Sequence, residues 1–328
     1  MAMHLVTGGA GFIGSHIAEE LLRQGEKVRI LDDLSTGKRE NIEALLSHPL
    51  GTSKGPVEFI EADVCDEDAV RRAVAGVDVI FHEAAIPSVP RSVADPFGSN
   101  RASVDGTLRL LVAARDAGVR RLVYASSSAV YGDLPTLPKV ETMPTVPISP
   151  YGVAKLTAEL YCRVFTTCYG FETVSLRYFN VFGPRQDPKS MYAGAIPIFV
   201  RELLKGGVPT LFGDGEQTRD FTYVADVVQA NLKAATAARA AGGVFNAGAG
   251  RRVTVNRVYR IIAGVLGIDR PANYGPPRPG DILHSYADIS AAEDVLGYRP
   301  GVTVEDGLKL TVEWLKTVPG IAPAVPER

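Results

Sequence analysis

The segment Ser149-Pro150-Tyr151-Gly152-Val153-Ala154-Lys155 sets a phenol and an ammonium one helical turn apart. Ser149 is a favoured N-cap and Pro150 suits the first helical position, so Tyr151 and Lys155 share a face. Tyrosine ionises near pH 10, and making it a base near neutrality takes about 3 pK units, or roughly 4 kcal/mol. A neighbouring ammonium and the positive end of a helix both favour the phenolate. Upstream, Val123 to Gly132 reads as a strand ending in the hydroxyl cluster Ser126-Ser127-Ser128. One of these hydroxyls can align a substrate O–H with the phenol, and the chemistry is general-base removal of a hydroxyl proton.

Such a pair needs a scaffold, and the first turn of the chain supplies one. Thr7-Gly8-Gly9-Ala10-Gly11-Phe12-Ile13-Gly14 follows the apolar run His4-Leu5-Val6 and opens an amphipathic segment. Gly8, Gly11 and Gly14 leave no side chain at the sharp turn, at the approach to a pyrophosphate and at the helix–sheet contact. The helix N-terminus adds unpaired N–H groups toward the anion. Lys27 to Asp32 reads as a second strand ending in carboxylates, Asp32 and Asp33, at the distance where an acid meets an adenosine ribose. A nicotinamide cofactor in this cradle would favour the Tyr151 phenolate further.

Strands are expected at 4–7, 27–32, 57–61, 78–82, 120–126 and 172–178, alternating with helical spacing at 13–23, 69–74 and 104–117. This alternation predicts an α/β fold, a Rossmann-type doubly wound parallel sheet over 1–180. Beyond 180 the pattern becomes irregular, with helices near 195–205, 224–237, 254–266 and 303–316. It predicts a smaller, mixed α/β substrate lobe over 181–328 at the sheet's C-terminal edge, with the chain crossing back to the first domain. Ser47 to Pro56 reads as a surface loop, and the tail from Pro319 as frayed.

Composition narrows the function. The 328 residues are 46% hydrophobic and 22% charged, with a formal net charge of −2, which suits an ordinary soluble globular protein and offers no basic stripe for nucleic acid. No apolar run approaches a membrane span. The first strand begins too near Met1 for a signal peptide ahead of it, so a cytoplasmic location is expected. Cys65, Cys162 and Cys168 lack metal-ligand spacing and read as reduced core thiols; no metal is expected.

Taken in order, these motifs resemble the extended short-chain dehydrogenases/reductases, specifically the nucleotide-sugar 4-epimerases. The resemblance runs from the glycine turn through Tyr151 and Lys155 to Arg278-Pro279-Gly280-Asp281. It implies NAD as cofactor, Tyr151 as general base, Lys155 on the nicotinamide ribose, and Ser127 as the assisting hydroxyl. In the similar 4,6-dehydratases the two following positions are Asp and Glu, whereas here they are Ser128 and Ala129. Without an acid to protonate a leaving hydroxyl, elimination lacks its proton donor, and oxidation followed by re-reduction is the expected course.

The resemblance also implies the nucleotide contacts. Asp32 would repel a 2′-phosphate, which argues for NAD over NADP, with Asp33, Ser35 and Lys38 flanking the ribose. Asp63-Val64 matches the adenine-binding pair. Phe81-His82-Glu83-Ala84-Ala85 resembles the small-residue wall beside the cofactor, where Ala84 and later Tyr178 join the cofactor set. His82 reads as structural. Ser103 stands where members usually carry Asn, so that contact is not carried over.

For a UDP-sugar substrate the matching residues are Ser88, Arg91, Ser127, Tyr151, Asn180, Ala195, Phe212, Arg219, Arg278 and Ser285. Arg219 and Arg278 suit a diphosphate by bidentate recognition, and Phe212 suits stacking near uracil. Ser285 aligns with a sugar gate that is bulky in members restricted to the plain hexose, so it leaves room for an N-acetyl group. The segment Ala85 to Ser92 and Arg185-Gln186-Asp187-Pro188 with Tyr192-Ala193 point the same way. The expected reaction is C4 inversion of UDP-N-acetylglucosamine and UDP-N-acetylgalactosamine, with UDP-glucose and UDP-galactose as a further pair. Arg91 and Arg185 facing a C6 carboxylate would instead make a UDP-glucuronate 4-epimerase; a non-catalytic NAD-sensing protein of the same fold is the other class. A homodimer through helices near 104–117 and 150–169 is implied as well.

Overall fold

The computed structural model describes residues 1–47, 57–188, 194–277 and 283–321. Most of the loop expected from Ser47 to Pro56, Tyr192-Ala193, Arg278 with Pro279-Gly280-Asp281, and most of the tail lie outside the described residues.

Six apolar segments form β1 (Met3–Thr7), β2 (Lys27–Asp32), β3 (Val57–Glu61), β4 (Val79–His82), β5 (Arg121–Ser127) and β6 (Glu172–Tyr178), each within one residue of its expected bounds. With Val244–Ala247 they make a parallel sheet in the order Val244–Ala247, β6, β5, β4, β1, β2, β3. β4 is buried at every residue, and β5 and β6 at all but one end, as a parallel sheet covered on both faces requires. Val6 and Ile30 pack in one layer with Ile17 and Leu21 of α1 (Phe12–Arg23) and Val227 of the helix Val224–Thr236. Their strand neighbours Leu5 and Leu31 pack in the opposite layer, with Leu110 of Gly106–Asp116 and Phe165 of Pro150–Tyr169. Strand order reverses between β1 and β4, and a crevice for ligands opens there at the carboxyl ends.

The chain leaves the sheet after β6 and builds a separate core from Phe199, Val258, Ile262, Leu308 and Val312. Its helices Val255–Leu266 and Val304–Thr317 start at Thr254 and Thr303, whose hydroxyls accept first-turn N–H groups. Between these pieces Val224–Thr236 covers α1, and Val244–Ala247 adds the edge strand beside β6.

Two local expectations change. The segment expected as a helix from Val104 begins earlier, as a π-helical turn over Arg101–Asp105 that runs into Gly106–Asp116. Of the three cysteines only Cys162 is buried; Cys65 is half-buried and Cys168 exposed, because the helix that carries the last two of them presents Cys168 outward. Among the described residues no helix is long and apolar enough to cross a membrane.

Candidate active site

The glycine turn is built for backbone approach. A Cβ on Gly14 would fall 2.3 Å from the Gly8 carbonyl oxygen, and one on Gly8 (φ +70°) would fall 2.7 Å from the Ala84 nitrogen. Gly11 is the N-cap of α1 and offers no side-chain cap, so the first-turn N–H groups stay available to an anion. Phe12 and Ile13 begin that helix. Asp32, at the end of β2, accepts from the Ala10 N–H at 2.9 Å and the Leu34 N–H at 2.8 Å. Burial raises its carboxyl above the usual range while these two bonds oppose the rise. A turn that admits no Cβ, an uncapped helix start and a placed carboxylate fit a dinucleotide's pyrophosphate and ribose.

The flanking residues are committed in different degrees. Ser35 donates from both its backbone N–H and its hydroxyl to Asp33. Lys38 pairs with Asp187 at 3.1 Å. Asp63 accepts from the Cys65 N–H and pairs with Arg101 at 2.8 Å. Val64 packs its side chain in the core, which leaves its backbone as the group facing a base. Ala84 donates its N–H to Thr7 Oγ1 at 3.3 Å.

His82 is held neutral by a one-way chain of donors. Thr107 Oγ1 donates to the Ser103 carbonyl at 2.6 Å, so at 2.8 Å it must accept from His82 Nε2–H. Nδ1 is then left to accept from Thr7 Oγ1 at 2.7 Å. Burial drives the imidazole down to about 3. Nearby, Ser103 lies in the π-helical turn with its hydroxyl buried and unpartnered among the described residues.

The strand end at Ser127 and the helix start at Ser149 bring the hydroxyl cluster to the phenol. Ser149 Oγ accepts from the Gly152 N–H with Pro150 in the first turn. Ser92 Oγ accepts from the Tyr151 N–H at 3.0 Å, which anchors the same turn to the helix Val89–Ala94. Ser127 accepts from the Ala129 N–H at 3.2 Å, and its side chain is close enough to the Tyr151 phenol to favour ionisation. Lys155 is buried, donates to the Ala125 carbonyl at 2.7 Å and stands 6.0 Å from the Tyr151 ring centroid. Burial pushes the Tyr151 phenol above its ordinary value, the nearby Ser127 side chain pulls it down and Glu83 opposes ionisation. Burial also lowers Lys155 to about 8, with Glu83 pulling it back up.

Ser88 (φ 110°) caps Val89–Ala94 by accepting from the Arg91 N–H, a conformation that costs of order 1–3 kcal/mol in a non-glycine residue. Tyr178 spends its hydroxyl on Glu83 and Asn231, at 2.7 Å each; only its ring is left for a cofactor. Two residues further on begins a cleft of about 370 Å³ whose walls include Asn180, Ala195, Phe212, Gln217 and Arg219. Arg219 donates to the Leu283 carbonyl at 3.2 Å. Ser285 donates its N–H to the Thr218 carbonyl at 3.1 Å, which places it beside the Arg219 strand. The Arg185 guanidinium pairs through Nη2 with Glu19 of α1 at 2.6 Å. Arg278 lies outside the described residues.

Sequence reasoning passed over Glu83, Ser92 and Asn231. A lone carboxylate in the small-residue run Phe81 to Ala85 was the available signal for Glu83. Nothing local marks Ser92 or Asn231, since their partners lie 59 and 53 residues away.

Residues 4–248 match the profile of the NAD dependent epimerase/dehydratase family. The UDP-glucose 4-epimerase of Mycolicibacterium smegmatis is 41% identical over 314 residues, which span 95% of this chain and 98% of that protein. The structure of UDP-N-acetylglucosamine 4-epimerase from Methanobrevibacter ruminantium M1, in complex with UDP-N-acetylmuramic acid, superposes with a TM-score of 0.89 at 42% identity, covering 95% of this chain and 97% of that one. UDP-glucose 4-epimerase from Thermotoga maritima, with UDP-glucose, gives a TM-score of 0.88 at 40% identity over 96% and 98% of the two chains.

Proposed function

The chain belongs to the NAD dependent epimerase/dehydratase family, and from that premise we propose that it inverts C4 of a UDP-hexose. Its substrates on this reading are UDP-N-acetylglucosamine and UDP-N-acetylgalactosamine, with UDP-glucose and UDP-galactose as a second pair. The observation that carries the reading is the Lys155 ammonium 6.0 Å from the Tyr151 ring centroid with the Ser127 side chain beside the phenol, and with Ser128 and Ala129 in place of carboxylates.

Tyr151 takes the 4-hydroxyl proton, with Ser127 in the hydrogen-bond path, and returns it from the same position. NAD, when bound, accepts the C4 hydride and gives it back, so the reaction is redox-neutral. Gly8, Gly11, Gly14 and Asp32 would hold its pyrophosphate and ribose, and Lys155 the second ribose. The 4-keto sugar turns between the two transfers, so the protein must grip the nucleotide and leave the sugar loose. The cleft of Asn180, Phe212 and Arg219 supports the first requirement, and the short side chain of Ser285 the second. Pairing of Arg185 with Glu19 supports a neutral sugar over a uronate, because it neutralises one of the two arginines that would meet the carboxylate.

The reading includes a homodimer through the helices Gly106–Asp116 and Pro150–Tyr169. Val112, Val153, Leu160 and Val164 are exposed on them, and light scattering on the eluting protein would report the state.

The deciding experiment incubates the purified protein separately with UDP-N-acetylglucosamine, UDP-glucose and UDP-glucuronate and identifies products by proton NMR. The expected product is the 4-epimer of the acetamido sugar. Turnover of UDP-glucuronate alone, or net accumulation of NADH, would reject the assignment.

A further inference from the structure

A half-buried carboxylate crosses the carboxyl end of the sheet above the Ser127 strand. Glu83 follows β4 directly and donates its N–H to the Thr7 carbonyl at 3.1 Å. Its side chain accepts from the hydroxyl of Tyr178, the last residue of β6, at 2.7 Å. Because β5 lies between β4 and β6, this bond bridges over the strand that carries Ala125 and Ser127. The direction of the bond is settled by its far end. Asn231 Nδ2 donates to the Tyr178 hydroxyl at 2.7 Å and to the Val227 carbonyl at 2.9 Å, so the phenolic proton goes to Glu83.

Beneath the bridge Lys155 donates to Ala125. Glu83 is the carboxylate whose charge acts on Lys155 and on Tyr151, and Tyr124 and Tyr178 complete the titratable groups facing it. A neutral acceptor would hold Tyr178 equally well, since a glutamine carbonyl takes the same proton. What glutamate adds is charge.

We propose that Glu83 is a positioning counter-charge for the Tyr151–Lys155 pair: its carboxylate, fixed by Tyr178 and Asn231 across β5, is the negative charge that this pair faces. The inference rests on the reading of Tyr151 as the base, and it goes beyond that reading by assigning a counter-charge outside the Ser127, Tyr151 and Lys155 set. The carboxyl group itself is raised by burial, so its charge develops across neutral pH and is complete only above it. Removing a nearby negative charge lowers the pKa of a phenol and of an ammonium alike. Both limbs of a pH–rate profile therefore move toward acid when Glu83 is neutralised.

The test is an ultraviolet difference titration of phenolate in the NAD-loaded protein, with the Tyr151→Phe titration subtracted to isolate Tyr151 from the other tyrosines. Glu83→Gln keeps the bond to Tyr178 and is expected to lower the Tyr151 ionisation by about one pH unit. Glu83→Met, a second neutral side chain, is expected to shift it in the same direction and serves if the glutamine variant does not fold. An unshifted titration in a folded neutral variant overturns the proposal. The readout needs no turnover: a protein that epimerises none of the sugars and still shows the shift loses the proposed function and keeps this one, and an active protein without the shift does the reverse.

Discussion

Ser127, the last residue of β5, meets the Tyr151 phenol at the first turn of the helix Pro150–Tyr169, and its side chain favours the phenolate. Three further serines make that meeting possible. Ser149 caps the helix, Ser92 holds the Tyr151 N–H, and Ser126, beside Ser127, donates at 2.6 Å to Glu159, which pairs with Arg177. The phenol is therefore positioned by the backbone that carries it.

Tyr151→Phe should lower turnover about 100- to 10,000-fold, the range of a lost general base, because the ring still fills its site while the proton acceptor is gone. NAD and UDP binding, followed by isothermal titration, should stay close to the parent. Turnover near the parent rate would reject Tyr151 as the base.

Ser285→Tyr should depress use of UDP-N-acetylglucosamine more than of UDP-glucose. The Ser285 backbone is tied to Thr218, next to Arg219, so a larger side chain there has no free segment on which to swing aside. Comparison of kcat/KM for the two sugars checks this; equal losses would refute the gate.

His82 makes stability depend on acid. Its folded value, about 3, lies below the ordinary 6.5, so its contribution is full above pH 6.5 and is lost as the pH falls toward 3. Between about pH 7 and about pH 5 the loss is roughly 2 kcal/mol. Asp220, raised to about 6, and Glu83, raised to about 7, act in the opposite sense: their contributions are present at low pH and are lost as the pH rises through those values. His82→Gln should shift the stability difference between pH 7 and pH 5 by roughly 2 kcal/mol in favour of pH 5 relative to the parent, read from urea unfolding at the two pH values. An equal slope in parent and variant would assign the acid loss elsewhere.

Asp220→Asn should destabilise the protein by about 2 kcal/mol and raise KM for the UDP-sugar. Asp220 is fully buried and accepts from the N–H groups of Ala249, Gly250 and Ala287. An asparagine turns an NH₂ toward those donors. The same carboxylate fixes the strand end next to Arg219 and the segment behind Ser285, so substrate affinity should fall with stability. Thermal unfolding and steady-state kinetics check both, and an unchanged KM would separate Asp220 from the substrate cleft.

Local chemistry by itself determined the strands of the sheet, the glycine turn before Phe12 and the Ser149-Pro150 helix start. Each depends on residues a few positions apart: β-branched runs, backbone without Cβ, a hydroxyl reaching the next turn. Tertiary structure alone decided where the charges went. Arg185 found Glu19 at a separation of 166 residues, Tyr178 found Glu83 at 95, and the Lys155 ammonium turned to a carbonyl of β5. Such pairings follow from strand order and burial, because a charged group removed from water takes whichever partner the packed sheet brings to it. Spacing along the chain carries no record of that choice.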